Sequence, residues 1–201
     1  MVVRHWMTPV VVTITKDASI QKALAVMRQH SIRHLPVVDE RHHLQGWVSD
    51  SDLRGALVAS MLEELSVADV MIHKPYTVSP ETALEEATKI IMEKRIGGLP
   101  VVDHGKLTGI ITVVDILAAF ITMMGVLTNS ARLDVRLPAQ AEALDQITRL
   151  IQNHHGEILS ICHMPFVKDE ERVYSIRIGG IEAEPMAQVL RDEGFDVIAT
   201  S

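Results

Sequence analysis

Two short segments of the chain carry a hydroxyl side chain and a carboxylate at the same spacing. In GWVSDSD, Ser49 stands three residues before Asp52, and in GIITVVD, Thr112 stands three residues before Asp115. This spacing is typical of a capping box at the start of a helix. A helix N-terminus also offers free N–H groups and a positive dipole end to phosphate, and an aspartate beside it can accept hydrogen bonds from both ribose hydroxyls. The two segments therefore indicate either helix caps or nucleotide sites.

Both segments belong to an internal repeat of the sequence. LPVVDE begins at Leu35 and LPVVDH begins at Leu99, and Met7 before the first copy corresponds to Met71 before the second, so the period is 64 residues. After these segments the period is 63 residues, because one residue is missing between DERHHLQG and DHGKLTG. A hairpin turn tolerates such a loss. We therefore expect two copies of one folding unit.

Each copy is predicted to fold as strand, helix, strand, strand, helix. The opening strands are VVVTIT and YTVS, which are rich in β-branched or aromatic residues. In the helix that follows, mostly apolar residues recur at i, i+3, i+4 and i+7, the spacing of one helix face. This predicted face consists of Ile20, Ala23, Leu24 and Met27 in the first copy and Leu84, Ala87, Thr88 and Ile91 in the second. Ser79 and Pro80 suit an N-cap and a first helical residue, unless the second helix begins a turn later.

The other half of each copy is predicted to be a hairpin and a closing helix. HLPVV pairs with LQGWV in the first copy, and GLPVV pairs with LTGII in the second. The closing helices are expected from about Ser51 to Leu65 and from about Val114 to Leu127.

Composition and hydropathy exclude several classes of function. A formal net charge of -7, without a cluster of Lys and Arg, argues against nucleic-acid binding. The apolar run from Leu107 to Leu127 is long enough to span a bilayer, but Asp115 near its middle favours a strand followed by a helix, so no membrane segment is expected. The N-terminus shows no signal peptide. Cys162 is the only cysteine, which excludes an intrachain disulfide and fits a reducing cytosol.

The remaining chemistry-bearing residues show no pattern of an enzyme or a metal site. The pairs His42-His43 and His154-His155 are predicted in a hairpin turn and at a helix end, without the i, i+4 spacing of a helical metal site. The sequence has no GxxxxGK phosphate loop and no GxSxG nucleophile turn. We expect neither catalysis nor a bound metal.

A third unit follows the repeats. ARLDVRL alternates like a half-buried strand, AQAEALDQITRLIQNHHG reads as a helix with Gly156 as its C-cap, and EILSICHM and RVYSIRI read as two more strands. AEPMAQVLRDEGF then predicts a helix that ends at Gly194, and DVIAT predicts a last strand. The order β-α-β-β-α-β is that of a ferredoxin-like sandwich.

The first 127 residues resemble a tandem pair of CBS (cystathionine β-synthase type) domains, a Bateman module, because LPVVD and G-h-h-[ST]-x-x-D occur twice in order. The resemblance implies an α+β fold with CBS domains over residues 1–65 and 66–127. Residues 131–201 resemble an ACT domain, which implies either dimerisation or amino-acid binding. The glycine turn that amino-acid-binding ACT domains usually carry is missing from LPAQAEAL.

The resemblance to CBS pairs also implies which residues bind a nucleotide. Asp52 and Asp115 hold the ribose, and a hydroxyl residue before each contacts ribose or phosphate. Arg33 offers phosphate a fork of donors where the second copy has glycine, so the two copies are expected to be chemically unequal. The implied site residues are Val12, Arg33, His34, Trp47, Ser49, Ser51, Asp52, Tyr76, Gly97, Gly98, Ile110, Thr112 and Asp115.

A CBS pair followed by an ACT domain resembles the bacterial acetoin-utilisation proteins of the AcuB type. This resemblance implies a cytoplasmic regulator that binds AMP, ADP, ATP or another adenosyl compound, with or without Mg2+, and needs no other cofactor. A homodimer is expected because DILAAFITMMGVL is apolar nearly all round, and an unidentified enzyme is the implied target. The alternative is a structural dimerisation module in which both [ST]-x-x-D elements are only helix caps.

Overall fold

The computed structural model describes residues 1–58, 64–138, 141–165 and 172–201. These residues divide into two compact units, Met1–Leu117 and Ala118–Ser201. Both units contain helices as well as strands, as the sequence predicts.

The first unit contains two β-hairpins, each followed by a helix. Their strands are β1 (His34–Val38), β2 (Leu44–Ser49), β3 (Gly98–Asp103) and β4 (Lys106–Thr112). Helix α1 (Ile20–Gln29) precedes the first hairpin, and α2 (Asp50–Ala56) follows it. In the same way α3 (Leu84–Lys94) and α4 (Val113–Met123) flank the second hairpin, and the boundary between the two units falls within α4. Both hairpins shift register at the equivalent position, between Val37 and Val38 and between Val101 and Val102. The predicted repeat is therefore present in detail.

The predicted opening strands VVVTIT and YTVS are wrong, because each forms only one isolated parallel bridge. Ile14 donates to the Pro36 carbonyl at 3.1 Å and accepts from the Val38 N–H at 2.9 Å, and Val78 makes the same two bonds around Pro100. The preceding rung of a parallel ladder, at Val12 or at Tyr76, would need an N–H from the proline itself. Proline has none, so the pairing cannot extend in that direction.

The faces of α1 and α3 follow the predicted spacing. All four predicted residues of α1 are buried, as are Leu84, Ala87 and Ile91 of α3, while Thr88 is half-buried. Helix α3 begins at Leu84 rather than at Pro80, because Ser79 and Thr82 form a separate turn in which the Thr82 hydroxyl accepts from the Ser79 N–H at 2.9 Å. The later of the two predicted starts is therefore the correct one.

The two closing helices begin where the sequence predicts, but α4 is shorter than expected. The apolar run from Leu107 consists of most of β4 and then α4, which ends at Met123 rather than at Leu127, and Gly125 beyond it adopts a φ of 67°. None of the described helices has the length and apolarity needed to cross a membrane. Helix α2 is also shorter than expected, because it ends at Ala56 and the predicted end, Leu65, is not helical. Residues 59–63 between them lie outside the described residues.

The second unit has the predicted order β-α-β-β-α-β. Its elements are β5 (Ala131–Leu137), α5 (Ala141–Asn153), β6 (Glu157–Met164), β7 (Arg172–Gly179), α6 (Ala183–Asp192) and β8 (Asp196–Thr200). The strands form one antiparallel sheet in the order β6-β7-β5-β8, which is the ferredoxin-like topology. Residues such as Leu133, Ile147 and Ile176 form its core.

The predicted role of Gly156 as the C-cap of α5 is wrong. His155 is the residue that takes the left-handed conformation, with a φ of 64°. A side chain at position 156 would instead collide with its surroundings, because a Cβ there would lie 2.7 Å from Ile151 Cγ2 and 2.8 Å from Ile181 Cδ1. Gly156 is needed for close packing rather than for its backbone angle.

Candidate nucleotide-binding cleft

Each repeated [ST]-x-x-D segment forms a helix cap. The Asp52 Oδ2 atom accepts from the Ser49 N–H at 3.0 Å and from the Ser49 hydroxyl at 2.6 Å, while the Asp52 N–H donates back to that hydroxyl at 3.3 Å. Thr112 and Asp115 make the same three bonds at 2.8, 2.6 and 3.4 Å. Only Oδ2 of each aspartate takes part. In the described part of the chain no donor reaches either Oδ1 atom, so the cap leaves one carboxylate oxygen of each aspartate for a ligand.

A third segment of the same kind occurs at Ser66 and Asp69 and was not predicted. Asp69 Oδ2 accepts from the Ser66 N–H and hydroxyl, both at 2.7 Å, at the start of a short 3-10 helix. These two bonds lower the pKa of Asp69. Because this third box does not line the cavity described below, the spacing by itself marks a cap and not a ligand site.

The glycine of the repeated motif permits two chain segments to cross. Ile72 and Trp47 exchange backbone hydrogen bonds of 2.9 and 3.1 Å, and Thr8 and Ile110 form the equivalent pair. A Cβ on Gly46, the residue before Trp47, would lie 2.5 Å from the Met71 sulfur and 3.0 Å from the Ile72 carbonyl oxygen. The segment that opens one repeat therefore runs against the second hairpin strand of the other repeat.

This crossing creates a cavity of about 590 Å3 between the two repeats. Nine of the thirteen predicted site residues line it, namely Arg33, His34, Trp47, Ser49, Ser51, Asp52, Tyr76, Gly97 and Gly98. Tyr76, from the second copy, thus lies in the same cavity as Asp52, from the first. The volume is in the usual range for small-molecule pockets, which is about 300–1,000 Å3.

The other four predicted residues, Val12, Ile110, Thr112 and Asp115, do not line this cavity. By the symmetry of the two crossings they occupy the equivalent positions on the opposite side of the repeat. The sequence suggested that Gly97 and Gly98 belong to a different cleft from Arg33 and His34, but the structure places both pairs in the same cavity. The reason is that the two pairs meet, because a Cβ on Gly97 would lie 2.6 Å from the His34 ring.

His34 and Trp47 form the aromatic part of the cavity wall. Their rings are stacked with centroids 5.4 Å apart and an interplanar angle of 23°. Burial lowers the pKa of His34, and Arg33 lowers it further, while Asp52 acts in the opposite direction. The imidazole is therefore neutral at pH 7. The ring of Tyr76 is exposed, and the Lys94 ammonium lies over it, 5.1 Å from the ring centroid.

Sequence reasoning missed three charged residues of the cavity, Asp50, Lys74 and Arg95. Lys74 follows the crossing residue Ile72, and Arg95 ends α3 in the left-handed conformation with a φ of 52°. Neither position belongs to a repeated motif, so no spacing marked them. Asp50 accepts a 2.6 Å hydrogen bond from Arg54, which lowers the pKa of Asp50.

The cavity therefore combines three kinds of group. Aromatic rings can stack on a flat base, the Asp52 carboxylate can accept from ribose hydroxyls, and Arg33, Lys74 and Arg95 can neutralise phosphate. Among the described residues, no group of three or more His, Cys, Asp or Glu side chains could hold a metal ion.

Comparison with protein families finds the CBS domain twice in the chain, over residues 3–59 and 67–122. These two matches contain both hairpins and both helix caps. The second unit beyond residue 122 is not part of the match.

Three solved structures are similar to the first part of the chain. A Vibrio cholerae protein described as an acetoin utilization protein, AcuB, has 32% identity and a TM-score of 0.59 over 63% of this chain and 96% of that one. CBSX2 from Arabidopsis thaliana in complex with AMP has 32% identity and a TM-score of 0.56 over 60% of this chain and 96% of that one. The CBS domain pair of MJ0100, in complex with 5'-methylthioadenosine and S-adenosyl-L-methionine, has 26% identity and a TM-score of 0.56 over 60% and 95%.

Proposed function

The chain belongs to the CBS-domain family, and on that premise we propose that it is a non-catalytic regulator whose cavity beside Asp52 binds an adenine nucleotide. The observation that carries this proposal is the composition of the cavity. The cavity of about 590 Å3 is lined by an aspartate with one free oxygen, by aromatic rings and by three cations. These are the groups that a ribose, a base and a phosphate require.

The ligands of similar structures support the choice of an adenosyl compound. CBSX2 is known in complex with AMP, and the MJ0100 pair in complex with methylthioadenosine and S-adenosylmethionine. All three ligands contain an adenosyl group, that is, adenine joined to ribose. We assign the ribose to Asp52, the phosphate to Arg33, and the base to the wall that contains Tyr76 and Trp47. The groups around Thr112 and Asp115 are the proposed equivalents for a second nucleoside, with Val12 and Ile110 beside them.

Regulation requires that the nucleotide bind one conformation of the protein better than another. The cavity meets the structural condition for such coupling, because both repeats contribute to its lining. We propose that a bound nucleotide changes the arrangement of the two repeats and that an unidentified enzyme responds to it. Access to the cellular nucleotide pool makes the cytoplasm the proposed location. Neither a metal nor a further cofactor is required, although Mg2+ can accompany ATP.

We also propose that the chain forms a homodimer through α4 and that the second unit is an ACT-like domain. The ferredoxin-like topology supports the ACT-like assignment, and the missing glycine after β5 favours dimerisation over amino-acid binding. The proposed limits are residues 1–65 and 66–127 for the CBS domains and 131–201 for the ACT-like domain.

Equilibrium binding tests the nucleotide proposal directly. We expect calorimetry with the full chain to detect AMP or ATP, and mass spectrometry of protein purified without added ligand to detect a co-purified adenosyl compound. The competing function is a structural module, which is favoured by the fact that both caps are complete without a ligand. Absence of binding for AMP, ATP, adenosine and S-adenosylmethionine would support that module and contradict the regulator.

A further inference from the structure

Three cations line the cavity without an ion pair to a carboxylate in the described part of the chain. Arg33 precedes β1, Lys74 follows the crossing at Ile72, and Arg95 ends α3, so three separate segments bring positive charge to one space. Within the described residues none of these three side chains forms an ion pair with Asp or Glu. Of the two carboxylates of the cavity, Asp50 binds Arg54, and Asp52 uses one oxygen for its cap with Ser49 and keeps the other for a ligand.

This positive charge is not a property of the repeat. At the equivalent positions of the other copy, Arg33 corresponds to Gly97, Lys74 to Val10 and Arg95 to Ser31. All three counterparts are uncharged, although the crossings and the caps around them are the same in both copies. The scaffold of the repeat therefore does not need these cations, and their convergence is specific to the cleft beside Asp52.

Unpaired cations around a cavity favour an anionic ligand, and each added phosphate group increases the negative charge they can neutralise. A single terminal phosphate carries a charge of about -1.5 to -2. Three cations on three separate segments of the cavity lining can contact more than one such group. S-Adenosylmethionine carries a sulfonium cation, which the same side chains would repel.

We propose that the cleft beside Asp52 is selective for the polyphosphate of a nucleoside di- or triphosphate, and discriminates against adenosine and S-adenosylmethionine. Lys74 and Arg95 extend the phosphate contacts beyond the one group that Arg33 neutralises. This inference rests on the proposed nucleotide function and specifies the class of ligand.

The test is calorimetry of the full chain with adenosine, AMP, ADP, ATP and S-adenosylmethionine, each with and without Mg2+. We expect ATP to bind at least about tenfold more tightly than adenosine, with AMP between them and S-adenosylmethionine weakest. The ATP affinity should fall as NaCl rises from about 0.05 to about 0.5 M, while the adenosine affinity should stay constant.

Two substitutions separate the polyphosphate contacts from the rest of the site. Lys74→Gln and Arg95→Gln should each weaken ATP by about three- to tenfold and weaken AMP less, with adenosine unchanged. Lys22→Gln is the matched control, because Lys22 is an exposed cation on α1 outside the cavity. Circular dichroism of each variant shows whether it is folded.

The outcomes distinguish this inference from the function on which it rests. Equal affinities for adenosine and ATP, or tighter binding of S-adenosylmethionine, would overturn the polyphosphate assignment and leave an adenosyl-binding regulator. Equal affinities for AMP and ATP, with no effect of Lys74→Gln or Arg95→Gln, would restrict the site to one phosphate and also overturn it. Failure of all five compounds to bind would overturn the proposed function itself.

Discussion

Arg33 is the residue at which the proposed reading of phosphate can be tested alone. It lies in the cavity wall next to His34, and its charge lowers the pKa of both His34 and Asp50. Arg33→Ala should weaken AMP about tenfold, equivalent to about 1.4 kcal/mol, and leave adenosine almost unaffected. Calorimetry of both ligands with the same protein preparation measures this. Arg28→Ala is the control, because Arg28 is an exposed arginine of α1. Parallel losses for both ligands, or none for either, would show that Arg33 does not contact phosphate.

Asp52 has two roles to separate, since it caps α2 and is proposed to bind ribose. Asp52→Ala should cost about 1.5–3 kcal/mol of nucleotide binding, as the loss of charged hydrogen bonds does, and should abolish the preference for ribose over 2'-deoxyribose. Asp69→Ala is the matched control, because it breaks a capping box of the same kind outside the cavity. If both variants bind AMP as the wild type does, Asp52 is only a cap. Asp115→Ala is the corresponding test on the other side of the repeat.

His34 predicts how stability depends on pH. Burial and the charge of Arg33 hold its pKa below the ordinary value of 6.5, while Asp52 only partly opposes them. Between that lowered pKa and 6.5, the unfolded chain binds a proton that the folded chain does not, so stability falls as the pH falls through this window. Lowering the pH from about 7.5 to about 5.5 should therefore decrease the free energy of unfolding of the wild type more than that of His34→Gln. Urea unfolding at each pH measures both values. The exposed His30→Gln should behave like the wild type, and identical profiles for His34→Gln and the wild type would contradict the prediction.

At the scale of elements, the crossing of each opening segment over a hairpin depends on one glycine. A Cβ on Gly109 would lie 2.8 Å from the Met7 sulfur and 3.0 Å from the Thr8 carbonyl oxygen. Gly109→Ala should therefore destabilise the protein by about 1–3 kcal/mol, as overpacking does. Gly55→Ala in α2 meets no atom of the described residues within 4 Å and should stabilise it by about 0.5–1 kcal/mol. Thermal unfolding of both variants measures the contrast, and equal shifts would mean that the crossing can relax around a side chain.

The sequence predicted the elements better than it predicted the cleft. Local periodicity is enough to locate α1 and the two hairpins, because their buried faces repeat within a few residues. It could not show that Pro36 and Pro100 end the parallel pairing, since that depends on which strand runs beside them. It also could not show that Tyr76 lies with Asp52, because the crossing that joins them is a contact between different repeats.

The change of pattern after the second repeat predicted a separate unit over residues 131–201, and these limits remain a prediction. The order of strands and helices in the second unit could be predicted from the periodicity of apolar and polar residues alone. The charge of the cleft was not, because Lys74 and Arg95 are ordinary surface residues until the fold brings them beside Arg33. Cavity residues that lie outside repeated motifs are therefore the ones that a single sequence conceals.

Helix α4 presents an exposed apolar surface. Five of its eleven residues are large apolar side chains that are more than a third exposed, namely Val113, Val114, Leu117, Phe120 and Met123. An exposed apolar surface of this kind marks an interaction site. A second copy of the chain fits it best, because the same face on another α4 is equally apolar and a two-fold contact would cover both at once.

We therefore expect a dimeric mass in sedimentation at micromolar concentration. Leu117→Glu places a charge in the middle of the surface and should produce monomers that keep the circular dichroism spectrum of the wild type, since the cost of burying an unpaired charge falls on the dimer alone. Met92→Glu is the control, because Met92 is an exposed apolar residue of α3 outside that surface. A folded wild type that sediments as a monomer would contradict the prediction, and so would a Leu117→Glu variant that remains a dimer.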